Sequence, residues 1–293
     1  MSMKLSLAKI LLPVDFSKNG LEAARYAAQL ARSFRSRVTL LHVLTQHHGF
    51  NMTADDADGQ FAGFLADREN EAKEQLGAFL KRGFHDLSVK RVLVKGDAAQ
   101  QIVRFAHFER FDLILMPTHG YGLFRRSLLG SVTAKVLHDV NIPVLTGVHL
   151  EKAGSAKSTQ LRRIVCALDL GPDSTKVLRW AAGLAARRNV VLTATHVVAG
   201  FDLPGEGYGP PDWDLLARKK RTTAISKLLR KCAIDAQIHL EAGSVPQALS
   251  SAAAKLRANV LVIGRAPLAA DGGRLSTNGY GIIRSSPCPV VSV

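Results

Sequence analysis

Asp15 closes the first apolar run of the chain, and residues 117–131 place Thr118, His119, Gly120, Arg125, Arg126, Gly130 and Ser131 between a second apolar run and a helical pattern. A carboxylate at the end of a strand can accept hydrogen bonds from amino or hydroxyl groups of a ligand. A glycine-rich loop entering a helix suits an anion, because free N–H groups and the positive end of the helix dipole point at one spot. Glycine lets a phosphate come close to the backbone. Ser131 adds a hydroxyl and reads as the N-cap of a helix whose Leu129, Val132 and Val136 share a face. On spacing alone, an ordinary strand–loop–helix crossover explains the glycines equally well. Asp15 has its own plain alternative, a carboxylate resting on the following helix N-terminus.

His47, His48, Asp55, Asp56 and Asp58 invite a metal, but their spacing matches neither a calcium loop nor a zinc site. A loop over a cleft is the better reading. The chain has no Gly-x-x-x-x-Gly-Lys loop, no Gly-x-Ser-x-Gly elbow and no His-Glu-x-x-His. No catalytic constellation and no metal site therefore emerge.

The elements that must position these groups alternate. Strands are expected at 8–14, 37–43, 87–94, 113–116 and 142–145, and helices at 18–33, 64–82, 98–109 and from 131. This order argues for an α/β fold with a parallel sheet covered on both faces. Residues 149–160 are polar and read as a linker between a first domain, 1–148, and a second, 161–293. The pattern then repeats. Ile10 to Asp15 is echoed by Ile164 to Asp169, Leu41-His42-Val43 by Thr195-His196-Val197, and Gly96-Asp97 by Gly243-Ser244. Leu113 to Met116 is echoed by Leu261-Val262-Ile263, and Ile142-Pro143-Val144 by Cys288-Pro289-Val290. Five echoes in one order indicate a duplicated unit. Pro143 and Pro289 lack a ladder donor, so each fifth strand belongs at a sheet edge, free to pair with another edge.

Composition narrows the class. The 293 residues suffice for two domains. No apolar run approaches the ~20 residues of a membrane helix, and the N-terminus reads as a strand, not a signal peptide. Cys166, Cys232 and Cys288 are odd in number and widely spaced, which fits reduced thiols in a cytoplasmic protein. The net charge of +15 would suit a nucleotide, nucleic acid or membrane surface. The bases are spread over many helices, however, with one dense run at Arg218–Arg221, and a solvated basic surface is preferred. Aromatics, at 6%, do not alternate with bases, so nucleic acid is an unlikely partner.

The run Pro117-Thr118-His119-Gly120, then nine residues, then Gly130-Ser131, resembles the ATP-binding signature of the universal stress proteins. That signature is Gly, two residues, Gly, nine residues, then Gly with Ser or Thr. Pro117 stands where the first glycine belongs and lacks its N–H. The resemblance covers nearly the whole chain as two tandem domains. It implies Rossmann-like, adenine-nucleotide-binding domains, each a five-stranded parallel sheet of order 3-2-1-4-5, packed edge to edge as a pseudo-twofold dimer. It implies ATP, alone or with Mg, in a cleft between strands 1 and 4 of the first domain. The residues it points to are Pro13, Val14, Asp15, Val43, Met116, Pro117, His119, Gly120, Gly130, Ser131, Val132 and Thr133. Pro13, Val14, Val43 and Met116 read singly as core.

In the second domain Asp169 echoes Asp15 and Gly264 takes the first glycine position, but Arg265-Ala266-Pro267 replaces Thr-His-Gly, and Ser276-Thr277 replaces Gly130-Ser131. This half is expected to bind poorly and to complete the pseudo-dimer. The residues at 205–211 are too irregular for a phosphate cradle. The expected function is nucleotide-dependent regulation in a stress response, through a protein partner. The alternatives are an interaction module without nucleotide, or a slow ATPase.

Overall fold

The computed structural model describes residues 5, 7–45, 60–118, 129–147, 161–186, 190–198, 213–265 and 277–293. His47, His48, Asp55, Asp56, Asp58, His119, Gly120, Arg125, Arg126, Ser276 and the stretches at 149–160 and 205–211 lie outside them.

The first domain runs β1 (Lys9–Pro13), α1 (Lys18–Phe34), β2 (Arg37–Leu44), α2 (Gln60–Ala78), β3 (Val89–Lys95), α3 (Ala98–Phe108), β4 (Leu113–Leu115), α4 (Ser131–Asp139) and β5 (Val144–Thr146). The second repeats it: β6 (Arg163–Ala167), α5 (Ser174–Ala185), β7 (Val191–Val198), α6 (Trp213–Cys232), β8 (Gln237–Ala242), α7 (Val245–Lys255), β9 (Val260–Ile263), α8 (Thr277–Ser285) and β10 (Val290–Ser292). One ten-stranded sheet results, of order β3-β2-β1-β4-β5-β10-β9-β6-β7-β8. Each half is parallel with order 3-2-1-4-5. The halves join where β5 and β10 pair antiparallel, Val290 opposite Thr146 and Ser292 opposite Val144.

The prolines lie one residue outside the fifth strands. Pro143 and Pro289 each accept a hydrogen bond, from the N–H of Ile114 (2.9 Å) and of Leu261 (3.0 Å). Proline thus enters the ladder through its carbonyl alone, and the strand proper starts beyond it. Each fifth strand is the edge of its own half and the middle of the molecule.

Helix packing follows from side-chain size. α1 turns Ala23, Ala24, Ala27, Ala28 and Ala31 toward the sheet, so the helix lies close to the strands. Gly96 (φ 132°) and Gly243 (φ 109°) take matching left-handed turns before α3 and α7, where a side chain would be strained. Apolar residues of both domains mingle in two core clusters, one on each sheet face.

Candidate functional site

The first domain's site forms at the carboxyl ends of β1, β2 and β4. Pro13 ends β1 and Val14 follows it, and both are buried, as are Met116 and Pro117 beyond β4, while Val43 near the end of β2 is half-buried. The N–H of Val14 donates to Leu41 (2.9 Å), which fixes the direction in which Asp15 leaves the sheet. Phe16 then adopts φ 63°, an uncommon conformation for a bulky residue and one that recurs at ligand sites. It turns the chain sharply into α1.

Asp15 is half-buried. Its Oδ1 accepts from the N–H (3.0 Å) and the hydroxyl (2.6 Å) of Ser17. Ser17 caps α1, its oxygen accepting from the N–H of Gly20 (3.0 Å). The plain alternative for Asp15 is therefore realised in one oxygen. Oδ2 has no hydrogen-bond partner among the described residues.

The start of α4 differs from expectation. Gly130, not Ser131, is the N-cap, at φ −56° and ψ 143°, and Ser131 is the first helical residue. Glycine has no side chain to cap with. Among the described residues the N–H groups of Ser131, Val132 and Thr133 have no acceptor, and Ala134 makes the first helical bond, to Gly130 (2.9 Å). Three open donors at the positive end of a helix dipole suit an anion. Two tethers hold this turn against β4: the N–H of Gly130 donates to Thr118 (2.8 Å), and the Thr133 hydroxyl donates to Pro117 (3.0 Å). The Thr133 hydroxyl is thus engaged within the protein, and its N–H is the open donor. Pro117 lacks the family's N–H, yet its carbonyl is the anchor for α4.

Two histidines were not singled out as site residues, although both stand in the repeat. Nδ1–H of His42 donates to Val14 (2.8 Å) and that of His196 to Leu168 (2.7 Å). A carbonyl only accepts, so Nδ1 carries the proton. Each ring clamps the residue before the site aspartate. His42 also stacks on Phe16, with centroids 4.4 Å apart.

In the second domain Asp169 behaves like Asp15. Its Oδ1 accepts from the N–H of Gly171 and the hydroxyl of Ser174, both at 2.8 Å, and Leu170 repeats the strained φ of 63°. Here an open cleft of about 360 Å³ is lined by Asp169, His196, Val197, Ile263, Gly264 and Arg265, among others. Asp169, Val197, Ile263 and Gly264 are the counterparts of Asp15, Val43, Met116 and Pro117. The second domain keeps a cavity at this position even though its glycine motif is altered. Among the described residues no cluster of His, Cys, Asp and Glu could hold a metal ion. No described helix is long and apolar enough to cross a membrane.

A doubly wound parallel domain, present twice and joined through its fifth strands, defines the class. The family model described as "Universal stress protein family" matches residues 7–146 and again 160–293. The chain belongs to the universal stress protein family, with two tandem copies of its domain. It is 29% identical over 163 residues to a universal stress protein of Methanocaldococcus jannaschii, covering 49% of this chain and 96% of that one. It is 27% identical over 212 residues to one of Mycolicibacterium smegmatis, covering 70% of this chain and 68% of the relative. The crystal structure of a universal stress protein from Archaeoglobus fulgidus matches its fold with a TM-score of 0.67 at 20% identity, over 98% of both chains.

Proposed function

We propose that this protein binds ATP in the cleft of its first domain and acts in the cytoplasm as a nucleotide-dependent regulator of a stress response. The observation that carries this reading is the uncapped first turn of α4. Its three open N–H groups follow β4, to whose end Gly130 and Thr133 tie the turn, and Asp15 follows β1, the strand paired with β4. Phosphate oxygens would meet Ser131, Val132 and Thr133. The nucleoside would reach Asp15 and the half-buried Val43. His119 and Gly120 belong to the same loop in sequence. Magnesium would accompany the phosphates as their counter-ion, since no described cluster is built to hold it. Occupancy would be read by a partner as a change in surface, and ATP would stabilise the fold as its concentration exceeds Kd.

Titration calorimetry of ATP against the wild type and Gly130→Val tests this. Valine accepts φ −56° and ψ 143° without strain, so the backbone tolerates the change, while a branched side chain at the cap is expected to block close approach of a phosphate. The expected result is saturable binding near one site per chain, lost in the folded variant. No heat and no thermal shift at millimolar ATP would replace the reading with an interaction module that has lost nucleotide binding.

A further inference from the structure

Arg265 sits two residues after β9, lines the second domain's cleft, and reaches into the first domain. Its Nη1 donates to the carbonyl of Val140, and its Nη2 donates to that of Ile142 (2.7 Å). Val140 is the C-cap of α4. One guanidinium therefore caps, from the other domain, the helix whose opposite end carries the uncapped turn. A cation at a helix C-terminus is favourable. The position has no reciprocal, because its counterpart in the first domain is Thr118.

The guanidinium is largely buried and lies within salt-bridge distance of no carboxylate among the described residues. Its desolvation pulls the pKa down to about 10. A desolvated cation held, among the described residues, by two neutral carbonyls is poised to accept a stronger partner, since charge-assisted bonds are roughly twice as strong as neutral ones. The cleft around it has Val177, Leu249 and Ile282 in its walls, with Thr195, His196 and Asn278 as polar groups and Asp173 as a carboxylate beside Asp169. Oδ1 of Asp169 is engaged at the N-terminus of α5 by Gly171 and Ser174. The volume of about 360 Å³ fits a small ligand.

We propose that the second domain's cleft is a regulatory site for a small ligand with one anionic group on an apolar body, and that Arg265 transmits its occupancy to α4. The anion takes the guanidinium from Val140 and Ile142. The last turn of α4 loses its cap and loosens. Nucleotide binding at the other end of α4 then weakens, and by reciprocity nucleotide in the first cleft weakens binding in the second. The effect on nucleotide rests on the ATP reading above, whereas the site and the loosening of α4 do not.

The probe is phenyl phosphate, and the first protein is Gly130→Val, whose first cleft is blocked. Calorimetry is expected to show saturable binding there, lost when Arg265→Gln is added. Hydrogen exchange at the amides of Leu137 and Val140 is expected to rise several-fold on saturation, without ATP present. If Arg265→Gln fails to fold, Gly264→Val replaces it. Its Cβ would start 3.0 Å from Val177, narrowing the cleft, so the probe no longer speeds exchange in α4. In the otherwise wild-type chain, saturating phenyl phosphate raises the ATP Kd by about fivefold or more beyond any rise seen in Arg265→Gln, where only direct competition survives. Absence of binding to Gly130→Val at millimolar probe, binding that survives Arg265→Gln, or unchanged exchange in α4 overturns the proposal. If ATP binds nowhere, the exchange result still decides the role of Arg265.

Discussion

A methyl group at position 20 would sit 2.7 Å from Oδ1 of Asp15, closer than real Cβ atoms come. Gly20 lies in the first turn of α1, where alanine is intrinsically better by about 1 kcal/mol. The carboxylate cannot simply swing away, because Ser17 holds it with two hydrogen bonds. Gly20→Ala is therefore expected to leave stability within about 1 kcal/mol of wild type while displacing Asp15 and weakening ATP binding. Urea unfolding and calorimetry together separate the two effects. A variant with intact ATP affinity would detach Asp15 from the site. Ser17→Ala takes away the cap as well and is expected to cost about 1 kcal/mol. The aspartate and its strand-end position were legible in the sequence from the first apolar run. The Ser17 hydroxyl that engages one of its oxygens was not, because it depends on the turn made at Phe16. Likewise Ser131 read as an N-cap by residue type, whereas the cap falls on Gly130. An extended conformation one residue earlier, fixed by the bond to Thr118, decides the matter, and no local propensity encodes that.

Whole elements are held by contacts of longer reach. The last turn of α1 is tied to the segment before β3 by Arg32, whose Nε (2.8 Å) and Nη2 (2.7 Å) grip Asp86 while Nη2 also meets the carbonyl of Gly83. Chiefly through these bonds Arg32 holds the Asp86 carboxyl down at about 2, below its ordinary 3.8. A carboxyl depressed in the folded state binds fewer protons there than in the unfolded chain. Its contribution is thus complete above about pH 4 and lost as the pH falls through about 2. An NMR titration is expected to place the Asp86 midpoint near 2 and to return it toward the ordinary value in Arg32→Gln. At the junction of β5 and β10 the hydroxyls of Thr146 and Ser292 are fully buried and have no hydrogen-bond partner among the described residues. Removing such an unpaired group relieves its desolvation, so Thr146→Val is expected to stabilise by about 1 kcal/mol, read as a higher urea midpoint at unchanged slope. The strands here were legible as a repeated apolar-proline-apolar pattern. That each starts just beyond its proline, and that the pair carries two orphan hydroxyls, follows from antiparallel register between halves more than a hundred residues apart.

At the scale of the molecule the two domains share their interior. A small void on the pseudo-twofold axis is lined in matched pairs: Leu7 with Leu161, Tyr26 with Trp180, and Leu30 with Leu184. α1 and α5 therefore face the same void from the two domains, and Gly183 of α5 admits Leu5, whose Cβ lies 2.7 Å from where a methyl at 183 would stand. Repetition made the two-domain architecture legible. The unequal division of features between the copies was not, because it depends on packing: the cleft persists where the glycine motif is altered, and Arg265 crosses only one way. A common core also governs unfolding. If the domains were independent, damage to the first would leave the second intact. Leu30 is almost fully buried, and Leu30→Ala is expected to cost about 2–5 kcal/mol. Because Leu30 faces the void it shares with Trp180 and Leu184, the cost falls on both domains. Circular dichroism and the fluorescence of Trp180, read in a Trp213→Phe background, should then shift to the same lower midpoint in one coincident transition. A Trp180 transition left at its original midpoint would mean that the second domain stands without the first. Arg265 could then link two folded bodies, but it would no longer be acting within a single cooperative unit.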